Sequence, residues 1–128
     1  MKRLNKLYWL KKEIEQIEMQ IKELTILSAM AMNGMPSGNS VSSPVEKFYD
    51  RLEKLRKKLQ AKLNEYITEK ERIEDYIENI QDAEIRVIAR MRFVDNLDFQ
   101  TIGNEMYMDR TTAYRKLKNY IEKDGKIQ

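Results

Sequence analysis

Apolar residues recur at alternating spacings of three and four along the first quarter of the chain. This spacing places them on one face of a helix and repeats over about three heptads, as in helices that supercoil around each other. Lys, Glu and Gln occupy most positions between them. The pattern predicts a helix from about Leu4 to Met32. Its stripe consists of Leu7, Leu10, Ile14, Ile17, Ile21 and Leu24.

A polar stretch at 33–43 interrupts this pattern. It contains two glycines, a proline and several small polar residues, which is the composition of a loop. Ser43 is placed to cap the next helix, with Pro44 as its first residue and Glu46 three positions beyond the cap, as in a capping box. The second helix is therefore predicted from Pro44 to about Gln81.

The second helix also carries an apolar stripe, which includes Leu52, Leu55 and Leu59 and is interrupted at Lys70. Two long helices joined by a polar loop favour an antiparallel hairpin. Because two helices bury little core by themselves, we expect association with a second copy of the chain, most simply as a dimer. The residues expected to form the contact are Leu7, Leu10, Ile14, Ile17, Ile21, Leu24, Leu52, Leu55 and Leu59.

Capping residues divide the rest of the chain into three short helices. Asp82 is placed to cap a helix that runs through Val94 and is ended by Asp95-Asn96. Asp98 is placed to cap a second helix over 99–106. After a turn at Tyr107-Met108, Asp109 is placed to cap a third helix over 110–122. Gly103 is expected where the last two helices approach most closely. The inward positions are Ile85, Ile88, Ala89, Met91, Phe93, Phe99, Ile102, Gly103, Met106, Ala113, Leu117, Tyr120 and Ile121. The sequence thus predicts an all-α fold, with a helical hairpin over 1–81 and a helix-turn-helix domain over 82–128.

The outward face of the last predicted helix is basic and suits double-stranded DNA. Arg110 and Thr111 lie in its first turn, where recognition helices approach base edges, and Arg115 can bond both acceptors of guanine. Tyr114 is expected to pack on a thymine methyl group or bond a phosphate. Backbone phosphates are the expected partners of Gln100, Thr101, Thr112, Lys116 and Lys118.

The composition excludes several kinds of catalytic and metal-binding site. The 128 residues include no cysteine and no histidine, which excludes disulfides, thiolate or imidazole metal sites and histidine general bases. We find no nucleophile–base pair or phosphate loop, and therefore expect no enzyme, cofactor or metal. No apolar run approaches the ~20 residues of a membrane span, and the N-terminal stretch is not a secretory signal. We expect the bacterial cytoplasm and no membrane contact.

Charge is distributed in blocks although the net charge is only +3. Residues 1–12 hold five bases and no acid, and 47–62 hold seven bases against two acids. The stretch 64–84 reverses this, with eight acids against two bases, and 110–126 returns to six bases against two acids. The basic end suits phosphates. The acidic stretch would repel them, and charge alone makes it a candidate contact for a basic protein surface such as that of RNA polymerase.

A family resemblance supports this interpretation. Residues 90–106 resemble region 4 of sigma-70-type factors, and Asp109-Arg-Thr-Thr-Ala-Tyr-Arg-Lys-Leu117 is similar to its recognition helix. The whole layout, with Met35-Pro-Ser-Gly38 between the long helices, resembles ArpU/RinA-type phage regulators. The resemblance implies transcriptional activation of late phage or prophage genes. The chain departs from the pattern at Tyr107, where the turn usually has glycine, and at Ala113, where Val or Ile is commoner.

Two other classes of protein fit parts of the sequence. A phage small terminase subunit also joins a helix-turn-helix to a helical oligomerisation region, but its DNA-binding domain more often comes first. A purely structural coiled coil leaves the C-terminal residues unexplained. The solution mass separates the first two classes, because a dimer or tetramer supports regulation and an eight- or nine-membered ring supports packaging.

Overall fold

The protein is helical throughout the residues that its computed structural model describes, 3–34 and 43–124. A short 3₁₀ turn, Arg3–Asn5, leads into five helices, and no strand occurs in those two ranges. The predicted all-α class is confirmed. No helix in these residues is long and apolar enough to span a membrane. The helices are α1 (Lys6–Gly34), α2 (Ser43–Glu78), α3 (Ala83–Phe93), α4 (Phe99–Met106) and α5 (Arg110–Asp124).

The helix bounds agree best with prediction towards the C-terminus. α4 has the predicted bounds, and α5 starts as predicted but runs two residues further, to Asp124. Both long helices differ: α1 continues through Asn33 and Gly34, which were predicted in the loop, and α2 starts at Ser43 itself. α2 also ends at Glu78, before Gln81, because the next two backbone N–H groups bond carbonyls only three residues back. Met35-Pro-Ser-Gly38 lies outside the described residues.

The chain forms two compact units, which divide both long helices. The first unit comprises Met1–Leu10 and Tyr66–Gln128, and the second comprises Lys11–Glu65. The predicted division at 81/82 does not coincide with this boundary. The start of α1 and the end of α2 both contribute to the core around α3, α4 and α5. That core contains Leu4, Leu7, Ile73, Ile77, Ile80, Ile88, Ala89, Phe93, Ile102, Ala113, Leu117 and Ile121.

The core of the first unit changes the interpretation of the heptad stripe. Leu7, expected to contact a second copy, is fully buried within this core, and Leu10 is also buried. The physical reason is that three short helices expose more apolar surface than they can cover among themselves. The start of α1 and the end of α2 cover it. These two leucines therefore pack within their own chain, and the remaining stripe residues lie in the second unit.

The second unit buries only part of its stripe. Ile14, Ile17 and Leu52 are buried, whereas Ile21, Leu24, Leu55 and Leu59 are half-buried. Lys62 on α2 lies 3.1 Å from Glu13 on α1, and its hydrogen bond to Glu13 raises the pKa of the lysine. The partly exposed residues retain apolar surface that a further element could cover.

Candidate nucleic-acid interface

The start of α4 is fixed by Asp98. Its side chain accepts a hydrogen bond from the backbone N–H of Thr101 at 2.8 Å, which confirms the predicted cap. This bond stabilises the charged form and lowers the pKa of the Asp98 carboxyl. Gln100 and Thr101 are both exposed in this first turn, and Gln100 donates to Asn104 one turn on. The two predicted phosphate contacts are thus presented side by side.

Gly103 lies against the turn that follows α4. A β-carbon there would lie 2.6 Å from the carbonyl oxygen of Met108 and 3.1 Å from the backbone nitrogen of Arg110. Its own carbonyl accepts hydrogen bonds from the N–H groups of Tyr107 and Met108. A small residue is therefore required at this position, where a close approach was expected, and this contact sets how closely α5 follows α4.

Tyr107 adopts the left-handed conformation, with φ 55° and ψ 46°, that ends α4. This is the position where the resembled family usually has glycine, which enters that conformation without a steric cost. The tyrosine side chain is 96% exposed. The turn therefore keeps a geometry suited to glycine although a bulkier residue occupies it.

α5 separates its residues into an inner and an outer face. Ala113, Leu117 and Ile121 are buried, as predicted from their spacing. Among the predicted DNA contacts on α5, five are exposed and two are half-buried. The exposed residues are Arg110, Thr111, Tyr114, Arg115 and Lys116, and the half-buried ones are Thr112 and Lys118.

A row of aromatic and cationic side chains holds Tyr114 in place. The ring of Phe99 meets the ring of Tyr114 edge to face, with 5.3 Å between centroids and 86° between planes. Arg92 lies over Phe99 at 4.8 Å, and the Lys118 ammonium lies 5.7 Å from the Tyr114 centroid. Sequence reasoning did not assign Arg92 to this face. The only signal was its closeness in sequence to the α3–α4 connection.

Two of the expected phosphate contacts have carboxylate neighbours. The ammonium of Lys116 lies 2.5 Å from Glu84 at the start of α3, and that of Lys118 lies 3.9 Å from Glu122. Sequence reasoning did not anticipate the first pair, whose members are 32 positions apart. Exposed ion pairs contribute little free energy, so a phosphate can replace either carboxylate.

One protein-family model matches most of the residues that form this arrangement. The model of a family described as proteins of unknown function, DUF1492, matches residues 37–124, which is more than half of the chain. The chain belongs to the DUF1492 family. The matched range includes all of α3, α4 and α5, so the turn and both of its helices lie within the DUF1492 region. No curated protein and no solved structure matches the chain.

A groove of about 430 Å³ lies beside the N-terminus of α4 in this DUF1492 protein. Its lining includes Trp9, which is 62% exposed, and Asn96, which adopts φ 59° in the middle of the α3–α4 connection. The left-handed asparagine agrees with the predicted end of α3. No group of three or more acidic side chains in the described residues is arranged to hold a metal ion.

Proposed function

We propose that this DUF1492 protein is a sequence-specific DNA-binding transcription regulator, in which α4 and α5 form a helix-turn-helix. One observation carries the proposal. Two short helices are joined by a three-residue turn, Gly103 of the first packs on that turn, and the exposed face of the second is basic. In helix-turn-helix proteins the second helix enters the major groove, with its N-terminal residues towards the bases.

The exposed residues of α5 have separate roles in this proposal. Arg110 and Thr111 approach base edges from the first turn, and Arg115 bonds the O6 and N7 atoms of guanine. Tyr114 packs on a thymine methyl group, and its contact with Phe99 restricts the ring to one orientation. An oriented ring loses less conformational entropy on binding than a mobile one.

The phosphate contacts fix the protein on the duplex without reading sequence. Gln100 and Thr101 meet one phosphate at the N-terminus of α4, where backbone N–H groups and the helix dipole favour an anion. The Asp98 carboxylate already accepts the N–H of Thr101, so the side chains supply more of this contact than the backbone. On α5 the phosphate contacts are Thr112, Lys116 and Lys118.

The biological role we propose is activation of late phage or prophage genes in the bacterial cytoplasm. The resemblance of residues 90–117 to sigma-70 region 4, and of the layout to ArpU/RinA-type regulators, supports this role. DUF1492 is a phage-associated family, which agrees with it. Activation implies contact with RNA polymerase, for which the acidic end of α2 is the candidate surface. The role requires no catalytic group or cofactor.

We also propose that the second unit is an antiparallel hairpin that pairs two copies of the chain. Early residues of α1 lie near late residues of α2, as Glu13 does with Lys62. Later residues of α1 lie near earlier ones of α2, as Leu24 and Leu27 do with Leu55. The five outward residues on one recognition helix are few for finding a site among many competing sequences, and a dimer doubles them.

Selection of DNA from a random pool, at stated salt, tests the proposal. We expect a two-fold repeated site. Arg115→Ala should relax the preference at one base position of each half-site and cost about 1–3 kcal/mol, whereas Lys118→Ala should weaken all sites alike and lower the salt slope by about 1. Failure to enrich any sequence would overturn the proposal. Equal loss on selected and random DNA for Arg115→Ala would remove Arg115 from the base-reading set.

A further inference from the structure

The second unit has an apolar surface that its own two helices leave uncovered. Residues 24–45 contain no charged side chain, although 35% of the whole chain is charged. Within the described part of this stretch, Ile26, Leu27 and Met30 are 49%, 63% and 65% exposed. This end of α1 therefore exposes several large apolar side chains and carries no charged residue. Such surface is available for a partner to cover.

α2 contributes to this surface through Leu55, which lines a groove of about 390 Å³ between the helices together with Leu24 and Leu27. Contiguous exposed apolar surface of this kind marks an interaction site in proteins. We call Leu24, Ile26, Leu27, Met30 and Leu55 the apolar patch.

Charged side chains that line the same groove indicate what covers the apolar patch. Glu23 lines the groove from α1, and Arg51 and Lys54 line it from α2. A two-fold contact brings identical surfaces together, so residue i of one copy meets residue j of the other and the reverse. One surface that carries both signs can therefore pair its own acid with the partner's bases.

We infer that a second copy of this chain covers the apolar patch in a two-fold dimer. The groove receives Leu27 of the other copy, and Glu23 of each copy faces Arg51 and Lys54 of its partner. The inference rests on the proposed function for its purpose, which is to pair two recognition helices, but the contact itself requires no DNA. The inferred interface does not include Leu7 and Leu10, which are buried in the first unit, and consists instead of the apolar patch of the second unit.

Sedimentation of the full-length chain without DNA tests the inference. We expect twice the chain mass of 15.4 kDa. Ile26→Glu with Leu27→Glu should weaken the dimer about 100-fold, since charge replaces apolar anchors of the interface. Ile67→Glu, which changes a residue of similar exposure in α2, should leave it unchanged. Unchanged far-ultraviolet circular dichroism would show that each variant keeps its helices.

Because the chain lacks cysteine, a single introduced thiol reports the contact directly. Leu27→Cys should form covalent dimers with a short bis-maleimide, and Ile67→Cys should not. A monomeric wild type, a closed ring of more than two chains, or equal weakening by the control would overturn the inference. A patch-dependent dimer that selects no DNA would refute the proposed function alone, and a monomer that selects DNA would refute this inference alone.

Discussion

Gly103 packs so closely against the backbone of Met108 that no β-carbon fits between them. A β-carbon on the glycine would lie 2.6 Å from the methionine carbonyl oxygen, and that atom belongs to the backbone of the turn. Backbone cannot move aside as the end of a flexible side chain can. The approach of α5 to α4, and with it the position of the basic face, therefore depends on the absence of one methyl group.

Gly103→Ala should destabilise the protein by about 1–3 kcal/mol, as overpacking in well-packed sites does. It should also weaken DNA binding, because the turn must shift and α5 shifts with it. Urea unfolding measures the first effect and fluorescence anisotropy the second. Asn104→Ala, at an exposed neighbouring position, should change stability by less than about 0.5 kcal/mol. Equal stability of the two variants would contradict the close contact.

Tyr107→Gly should stabilise the protein by about 0.5–1 kcal/mol. Glycine removes the steric cost of the left-handed conformation, although its greater freedom in the unfolded chain cancels part of the gain. The lost side chain is 96% exposed and contributes almost no burial. Tyr107→Ala is the control, since alanine has the same backbone restriction. An equal gain for alanine and glycine in urea unfolding would show that φ is not the cause.

Phe99 and Tyr114 should be energetically coupled through their rings. A double-mutant cycle with Phe99→Leu and Tyr114→Leu should give a coupling free energy of about 0.5–1.5 kcal/mol, because the edge-to-face contact is lost only once. Phe99→Leu combined with Tyr107→Leu should give none, since Tyr107 is almost fully exposed. If the free-energy changes of the two substitutions in the first cycle were additive, the contact between Phe99 and Tyr114 would not restrain the Tyr114 ring.

Asp98 should stabilise the fold in a pH-dependent way. Its pKa in the folded protein lies below the ordinary value of 3.8, because the carboxylate accepts the N–H of Thr101. The stabilisation is therefore complete above about pH 4 and is lost as the pH falls through the lower, folded pKa. Asp98→Ala should reduce stability at neutral pH, and the difference from the wild type should shrink towards pH 2. A difference that stays constant over this range would exclude the charged cap.

Local signals made α3, α4 and α5 predictable from sequence. Asp82 and Asp98 cap their helices within three residues of themselves, and Asn96 adopts the left-handed conformation shortly after α3. Such features depend on neighbours in the sequence. They fix where a helix starts and ends before any tertiary contact is considered.

Which residues an apolar or charged side chain contacts was less predictable from the sequence than where the helices begin and end. The heptad spacing shows that Leu7 lies on an apolar face, but burial of that face is equally favourable against a second chain or against its own core. Likewise, the charge of Lys116 does not reveal that Glu84 lies across from it. Apolar burial and Coulomb attraction are not specific for one partner, so the three-dimensional arrangement decides between them.

The acidic end of α2 provides the last prediction. Asp75 and Glu78 are exposed and three positions apart on one face of the helix. If this face contacts RNA polymerase, Asp75→Lys with Glu78→Lys should abolish activation in transcription with purified host polymerase, because the contact becomes repulsive. DNA affinity should not fall, since the exchange adds positive charge.

A matched pair on α1 controls for the charge change itself. Glu15 and Glu18 are also exposed and three positions apart, so Glu15→Lys with Glu18→Lys alters net charge equally. We expect this variant to activate transcription as the wild type does. Loss of both activation and DNA binding in the α2 variant, or equal loss of activation in the two variants, would show that this face does not contact polymerase.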